Sequence, residues 1–441
     1  MEQSRRDFLK KVAVGTAGIT FAGLNNLQAQ SARNIPGAND RVRVAVMGVH
    51  SRGSALAQSV IRSEIGEVAY ICDVDQRAVE ERVKMVEDLQ GRKPKGVIDF
   101  RRALDDDSVD ALVIAAPDHW HTPATIMALS AGKHVYVEKP ISHNAREGEL
   151  IVKAQKKYGK VVQAGTQTRS SSICKRGIQQ IRDGIIGRPY YGRAEYARPR
   201  GSIGYGKKAP VPDWLDYDLW QGPAPRTAYR DNVIHYNWHW FKRWGTGEIG
   251  NNAVHNVDEI RWAMGIDSYP VLVSSSGGRF HYEDDWEFFD TQVVSFKYED
   301  RRMIVWDGKS CTGHSAGPGA IIYGTEGSMI LSRSSYKVFD REGNPVTSSE
   351  EDIEEADDLQ AGGDVSDAHM HDFLKAIQDN SQNNAPIDEI QKSNVLCHLG
   401  NISQFLGRKL RTNPENGRIL GDGEAMQMWG RTYEPGWEPK V

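Results

Sequence analysis

The chain has 441 residues, of which 39% are hydrophobic and 26% are charged, and its formal net charge is -4 at pH 7. The proportions are ordinary for a soluble globular protein, and the length exceeds the ~100 to 200 residues of one domain, so two domains are expected. Basic and acidic residues are mixed along the chain, which argues against a nucleic-acid-binding or membrane-surface protein. No zinc-type spacing joins the four cysteines, so no metal is expected.

The first 29 residues follow the pattern of a twin-arginine export signal. Residues 4–10 read SRRDFLK, a weakly apolar stretch follows, and Leu27-Gln28-Ala29 resembles a cleavage site. The apolar stretch is shorter than the ~20 residues that span a membrane. We expect a signal peptide over 1–29, a linker over 30–40 and a periplasmic mature protein. The alternative is a cytoplasmic protein with a basic start that arose by chance.

Strand and helix patterns alternate in the next part of the chain. The apolar run at 41–48 ends in glycine and is followed by a helical pattern, SRGSALAQSVIRS. Strand patterns recur at 67–73, 109–117 and 133–140, with a charged helix at about 75–90 and a helix through ATIMALSAG between them. This order predicts an α/β fold with a parallel Rossmann sheet over 41–168, whose ligands bind beyond the carboxyl ends of the strands.

A glycine-rich turn after the first strand predicts a dinucleotide site. Gly48 and Gly53 occupy the first and third glycine positions of the fingerprint G-x-G-x-x-G, and His50 stands at the second. Asp73 ends the second strand, where a carboxylate can accept hydrogen bonds from ribose hydroxyls and repel a 2′-phosphate, which favours NAD over NADP. The alternative is an ordinary tight turn and a helix cap. The cofactor contacts predicted here are Gly48, His50, Ser51, Arg52, Gly53 and Asp73.

Three further motifs carry a resemblance to a known family. They are APDHWH at 116–121, GKHVYVEKP at 132–140 and GTQTR at 165–169. With these motifs the chain resembles the Gfo/Idh/MocA oxidoreductases, the family of glucose-fructose oxidoreductase and inositol dehydrogenase. The resemblance implies a Rossmann domain, then an α/β domain with a large, open, mostly antiparallel sheet, with NAD(P) between them and a sugar or polyol as substrate.

The second domain is expected over residues 169–441, for substrate binding and oligomerisation. Strand patterns at 189–197, 269–278, 289–298 and 301–308 and helical patterns around 366–379 and 388–409 agree with it. By analogy with the family, the protein is expected to form a homo-oligomer, either a dimer or a tetramer.

The lysine of the EKP motif lies beside the nicotinamide and the reacting hydroxyl in the family, and Lys139 takes that position here. A lysine there stabilises negative charge on an alkoxide, and partial burial lowers its pKa toward a useful range. Pro140 holds Lys139 in an extended conformation. Glu138 is expected to position the lysine or the ribose, the alternative being a surface ion pair of little energetic value. The remaining predicted cofactor contacts are Pro117, His121, Glu138, Lys139 and Gln167.

The segment GEIGNNAVHNVDEIRWAMG at 247–265 supplies the predicted general base. Family members often have D-x-x-x-H on this helix, and the pair here is Asn251 and His255. Spacing of four residues places both side chains on one helix face, where His255 can accept the hydroxyl proton as hydride leaves carbon. Asparagine removes a carboxylate that would raise the basicity of the histidine, which shifts proton handling toward Lys139 or indicates a different substrate. A structural histidine is the alternative.

The segment HYNWHWFKRWG at 235–245 is too polar for a core strand and too aromatic for a free loop. Aromatic faces stack on the C–H faces of sugar rings, and the polar groups between them can bind hydroxyls. A subunit interface is the alternative. The predicted substrate contacts are Lys139, Arg169, His235, Tyr236, Trp238, His239, Asn251 and His255.

These features predict an NAD-dependent oxidoreductase that oxidises a ring hydroxyl of a sugar or glycoside, such as the hydroxyl at C3. An exported enzyme cannot replenish NAD, so the cofactor is expected to be tightly bound and to recover its starting state within one redox cycle. Two alternatives are an NAD-dependent glycoside hydrolase with a transient keto intermediate and a catalytically inactive sugar-binding protein.

Overall fold

The computed structural model describes residues 41–315, 319–350 and 365–441. The predicted signal peptide and linker lie outside the described residues. Within those ranges, no helix has both the length and the apolar character that crossing a membrane requires.

Six parallel strands form the N-terminal sheet, in the order β3-β2-β1-β4-β5-β6. The strands are β1 Val42–Met47, β2 Gly66–Cys72, β3 Lys95–Val97, β4 Ala111–Ile114, β5 His134–Val137 and β6 Val162–Ala164. The connecting helices are α1 Arg52–Arg62, α2 Gln76–Gln90, α3 Arg101–Leu104, α4 Asp118–Ser130 and α5 Ala145–Tyr158. Strand order reverses between β1 and β4, which is where sheets of this kind bind ligands. The predicted parallel Rossmann sheet is confirmed.

Local sequence signals explain where two of these helices begin and end. The Asp75 carboxylate accepts a hydrogen bond from the first turn of α2, and Gly91 ends that helix with a φ of 71°. Asn144 caps α5 in the same way, and Gly159 ends it with a φ of 63°. Short polar side chains satisfy free N–H groups at helix starts, and glycine adopts the left-handed conformation at helix ends without a steric penalty.

The second sheet has ten strands, and β7 lies near its centre. The order is β15-β14-β13-β12-β7-β10-β9-β8-β16, with β11 paired to β7. Its strands are β7 Pro189–Pro199, β8 Leu272–Gly278, β9 Thr291–Lys297, β10 Met303–Lys309, β11 Cys311–Thr312, β12 Ala320–Gly324, β13 Gly327–Leu331, β14 Tyr336–Asp340, β15 Pro345–Ser348 and β16 Leu410–Arg411. Only the β7–β10 pair is parallel among these strands, so the predicted mostly antiparallel sheet is confirmed.

The described residues of the C-terminal part form six helices, some of which pack against this sheet. They are α6 Ser172–Arg182, α7 Tyr217–Gln221, α8 Val254–Ala263, α9 Val365–Asp379, α10 Ile387–Leu406 and α11 Gly423–Gln427, and a π-helical turn, Ile249–Ala253, leads directly into α8. Val257 and Ile260 of α8 are buried in one hydrophobic cluster with Phe296 of β9 and Trp306 of β10. The sheet therefore fixes the position of α8.

Helix α9 belongs to the C-terminal part of the sequence but packs with the N-terminal sheet. Met370, Phe373 and Leu374 are fully buried in one cluster with Val44 of β1 and Leu56 of α1. A boundary at residue 168 therefore separates the two sheets but not all of the helices that cover them.

Candidate functional site

A cavity of about 810 Å³ opens where β1, β2, β4 and β5 end, and residues of both parts of the chain line it. Most of the predicted site residues are among the lining residues, and only Gly53 and Arg169 are not. The predicted residues that line the cavity are Gly48, His50, Ser51, Arg52, Asp73, Pro117, His121, Glu138, Lys139, Gln167, His235, Tyr236, Trp238, His239, Asn251 and His255.

The turn between β1 and α1 is packed too tightly for any residue but glycine at two positions. Gly48 has a φ of 82°, and a Cβ atom there would lie 2.7 Å from the main-chain oxygen of Ala115. A Cβ atom on Gly53 would lie 1.9 Å from the oxygen of Gly48. Ser51 directly precedes α1, whose free N–H groups and dipole favour an anion. This turn fits the pyrophosphate of a dinucleotide. Gly53 does not line the cavity, but its close packing against Gly48 sets the conformation of the turn.

Asp73 fastens the end of β2 to the glycine turn. Its two carboxylate oxygens accept hydrogen bonds from the main-chain N–H groups of Val49 (2.7 Å) and Asp75 (2.9 Å). Burial raises the pKa of Asp73, and these two donors oppose the rise. Each oxygen keeps a second lone pair. The carboxylate therefore has acceptors left for the ribose hydroxyls of a bound nucleotide.

Glu138 organises the floor of the cavity. Its Oε1 accepts hydrogen bonds from Arg52 Nε at 2.8 Å and Gln167 Nε2 at 2.9 Å. Burial favours a higher pKa for Glu138, but the charges of Arg52 and Lys139 outweigh it and lower the pKa to about 2. Among the described residues, Nη2 of Arg52 is buried without a hydrogen-bond partner. Glu138 therefore holds Arg52 in place while one guanidinium nitrogen stays available to an anionic ligand.

Lys139 contacts the π-helical turn that leads into α8. Its Nζ donates hydrogen bonds to the main-chain oxygen of Asn251 at 2.7 Å and to Asn251 Oδ1 at 3.0 Å. Burial lowers the pKa of Lys139, which Glu138 and Asp118 partly oppose. π-helical turns in α-helices are frequent at functional sites. The predicted lysine and the predicted asparagine therefore meet in the fold, from positions 112 residues apart.

His255 lies in the first turn of α8 and lines the same cavity. Burial, with the charge of Lys139 beside it, lowers the pKa of His255 to about 3. Its Nδ1 is buried and has no hydrogen-bond partner among the described residues. The imidazole is therefore neutral near pH 7 and has a ring nitrogen ready for a ligand.

Pro117 and His121 shape the wall beside Lys139. Pro117 precedes α4, and the ring nitrogens of His121 lie 2.5 Å from the Pro140 oxygen and 2.8 Å from the Ala116 oxygen. The Lys139–Pro140 peptide bond is cis. His121 therefore holds the turn after β4 and the turn after β5 together.

The aromatic segment separates into two locations. Tyr236, Trp238 and His239 line the cavity, and the rings of Trp238 and His239 stack with centroids 3.6 Å apart. His235 also lines the cavity, at the end where the nucleotide is predicted, and its Nε2 is 2.9 Å from Asp75 Oδ2. Three of the predicted substrate residues thus lie together, whereas His235 lies beside the predicted nucleotide contacts.

Arg169 lies outside the cavity. Its Nε and Nη2 donate to the two carboxylate oxygens of Asp258 at 2.7 and 2.9 Å, and both side chains are buried. Because this bidentate pair occupies the guanidinium, the structure does not support a substrate contact for Arg169.

Three charged lining residues are not among those predicted from the sequence: Asp118, Arg198 and Arg333. Asp118 is buried, accepts a hydrogen bond from Thr246 Oγ1 at 2.7 Å, and has a pKa that burial raises to about 6. An acidic residue in the first turn of a helix after a parallel strand was a usable signal for Asp118. No local pattern marks the two arginines, because sheet pairing brings them to the cavity.

Within the described ranges, no group of three or more His, Cys, Asp or Glu side chains is arranged to hold a metal ion.

Comparison with known proteins agrees with this geometry. Residues 42–166 match the Gfo/Idh/MocA model described as an oxidoreductase family with an NAD-binding Rossmann fold, and residues 203–438 match the C-terminal α/β domain of that family. The structure of levoglucosan dehydrogenase with NADH and levoglucosan covers 84% of this chain and 99% of its own, with a TM-score of 0.65 and 18% identity. The WlbA dehydrogenase of Chromobacterium violaceum, with NADH and UDP-GlcNAcA, covers 86% and 98%, with a TM-score of 0.67 and 18% identity.

Two curated relatives are named as glycoside hydrolases rather than as dehydrogenases. A glycosyl hydrolase family 109 protein of Saccharopolyspora erythraea is 29% identical over 253 residues, which are 52% of this chain and 55% of the relative. An α-N-acetylgalactosaminidase of Shewanella oneidensis is 26% identical over 210 residues, which are 44% and 45%. The chain thus spans about half the length of these relatives. With both domains matched in order, the chain belongs to the Gfo/Idh/MocA oxidoreductase family, whose N-terminal domain is an NAD-binding Rossmann fold.

Proposed function

We propose that this protein oxidises a ring hydroxyl of a sugar or glycoside, such as the hydroxyl at C3, with NAD that stays bound. The contact between Lys139 and Asn251, in the cavity that His255 also lines, carries the proposal. The same cavity contains the glycine turn and Asp73. A cationic group and a neutral imidazole thus face the cavity that fits the nucleotide, as removal of a proton and a hydride from one carbinol requires.

When bound, NAD supplies the acceptor for the hydride. Lys139 binds the hydroxyl oxygen and stabilises the negative charge that develops there as its O–H bond breaks. His255 accepts the hydroxyl proton at a ring nitrogen, because its imidazole is neutral near pH 7. Asn251 orients the lysine through two hydrogen bonds. The carbinol carbon loses a hydride, the hydroxyl oxygen loses a proton, and a ketone remains.

The aromatic residues of the cavity support a sugar as the substrate. Tyr236 and Trp238 line the cavity with polar His239 beside them, and such surfaces bind the C–H faces and hydroxyls of sugar rings. Levoglucosan is bound in one structural neighbour and UDP-GlcNAcA in another, which supports this substrate class.

We further propose that the protein is exported folded by the twin-arginine pathway with NAD already bound. SRRDFLK at residues 4–10 and the apolar stretch after it support export. A homo-oligomer, either a dimer or a tetramer, is also proposed. It is supported by apolar side chains on strands β9 and β10, where Val293 is 41% exposed and Met303 is 37% exposed.

Native protein purified without added nucleotide tests the proposal. We expect mass spectrometry of the denatured sample to show about one NAD(H) per chain, because a tightly held ligand dissociates slowly. A panel of glycosides is then screened for reduction of the bound cofactor and for a keto product. Protein that is empty of nucleotide, or that transfers no hydride from any glycoside, would contradict the proposal.

A second candidate is an NAD-dependent glycoside hydrolase, and the names of the curated relatives favour it. Oxidation at C3 acidifies the neighbouring C–H bond, elimination releases the aglycone, water adds, and hydride returns to the same carbon. The net reaction is hydrolysis with no net change in NAD. Accumulation of a keto sugar together with NADH supports the oxidoreductase. Release of the aglycone and of a sugar without a keto group, at constant NAD, supports the hydrolase.

A further inference from the structure

We propose that residues 214–235 of the C-terminal part belong to the nucleotide site and hold bound NAD in place, with His50 and His235 as the contact that closes it. The proposal deepens the NAD-dependent function and rests on it. It gives His235 a role at the cofactor rather than at the sugar.

Main-chain contacts join this segment to the turn after β2. Gln76 N donates to the oxygen of Trp214 at 3.0 Å, and Asp216 N donates to the oxygen of Val74 at 3.0 Å. Asp75 and Leu215 form an antiparallel bridge between these two bonds. The turn begins at Asp73, the predicted ribose acceptor. The C-terminal part of the chain thus fastens the loop that recognises the nucleotide.

A stack of aromatic rings reinforces this connection. The His50 and His235 rings lie with centroids 4.1 Å apart and planes 17° apart, and the rings of Trp214 and His235 also stack, with centroids 5.8 Å apart. His235 Nε2 bonds Asp75 Oδ2 at 2.9 Å. The guanidinium of Arg77, at the start of α2, lies 3.5 Å from the centre of a Trp214 ring. These stacked side chains therefore connect the glycine turn to helix α2.

The stack accounts for the histidine in the glycine fingerprint. His50 stands where the motif has its second glycine, and its ring pairs with His235 beside the cavity. Gly48 and Asp73 lie on the two turns that this pair and the main-chain bridge hold together. A nucleotide bound to both turns can leave at this end only after the two parts of the chain separate, so the contact slows release.

Release of NADH is the measurement that tests this role. Bound nucleotide is exchanged for NADH, and the fall in NADH fluorescence is followed after mixing with excess NAD. The variants are His50→Gly, His235→Ala and the double variant, with His281→Ala as the control because its exposed ring pairs with Tyr282 away from the cavity. His50→Gly restores the full fingerprint, so motif reasoning predicts equal or slower release.

We expect the opposite for His50→Gly: release about three- to tenfold faster, the range that loss of one aromatic pair produces. His235→Ala is expected to release NADH at least as fast, and the double variant no faster than His235→Ala, because both changes remove the same contact. Release from His281→Ala is expected to match the unmodified protein. Release from His50→Gly at or below the unmodified rate, or effects of the two changes that multiply, would overturn the proposal.

Failure of this proposal is distinguishable from failure of the proposed function. If His235→Ala does not fold, His50→Gly decides alone, since glycine is the residue of the fingerprint at that position. Unmodified protein that retains NAD, with unchanged release from the variants, removes the role of the stack and leaves the redox function intact. Unmodified protein that contains no NAD removes the function itself.

Discussion

Replacing Asn251 by aspartate is expected to raise the pKa of Lys139 and extend activity to higher pH. Asn251 Oδ1 lies 3.0 Å from Lys139 Nζ. Two unit charges at this distance attract each other by about 1.4 kcal/mol in water and about 5.5 kcal/mol at an effective dielectric constant of 20. Measured shifts for comparable pairs are about one to three pKa units. Burial lowers the pKa of Lys139 in the unmodified protein, and the new carboxylate acts against that effect.

The sign follows from the role of the ammonium group. Lys139 must be protonated to stabilise an alkoxide, so activity is present below its pKa and is lost as pH rises through it. We therefore expect the alkaline limb of kcat/KM to lie below the ordinary lysine value of 10.5 in the unmodified protein. In Asn251→Asp this limb is expected to move up by about one to three pH units.

The assay is the pH dependence of kcat/KM for whichever glycoside the screen identifies. Asn416→Asp serves as the control, because it changes the net charge by the same amount in an exposed turn outside the cavity. An alkaline limb that stays in place in Asn251→Asp would refute the reasoning. It would mean that the ionisation of Lys139 does not set the limb.

Three further results are expected. Lys139→Met should lower kcat by about 10²- to 10⁴-fold; undiminished turnover would exclude Lys139 from catalysis. Arg169→Met should lower the free energy of unfolding in urea by about 3 to 5 kcal/mol, because Asp258 is left buried without its ion-pair partner; a raised KM at unchanged stability would restore a substrate role. The pKa of His255 is lowered to about 3, and Asp118→Asn removes the other nearby group, whose pKa is raised to about 6. We therefore expect kcat/KM of Asp118→Asn to change less than about twofold between pH 5 and 7, and an acid limb near pH 6.5 would contradict this.

Local sequence patterns were sufficient for about half of the described elements. The strand and helix periodicities place β1, β2, β4 and β5 and helices α1, α2 and α4 where the structure has them. They also mark β7 to β10 and helices α9 and α10. Such patterns are reliable because each element buries one face, and the spacing of apolar residues follows from that burial. The short strands β3 and β6 have too few residues for a periodic signal.

The site was predictable where a motif sets the chemistry at one turn. Gly48 and Gly53 are required by close approach of the backbone, and Lys139 is marked by the EKP motif. Arg169 and His235 show the limit of such reasoning. A polar residue in or near a motif can bind a ligand or another side chain of the protein, and local sequence does not distinguish the two. Arg169 contacts Asp258, and His235 contacts Asp75.

By itself, the sequence determined the parallel α/β sheet, the dinucleotide turn and the types of side chain available for chemistry, whereas the second sheet was implied by the family resemblance. Those properties depend on local spacing, on backbone sterics and on composition. Tertiary structure alone decided that Lys139 touches Asn251, that Arg169 is committed to Asp258, and that His50 meets His235. Each of these pairs joins residues far apart in the chain, and strand order and helix packing bring them together after local structure has formed.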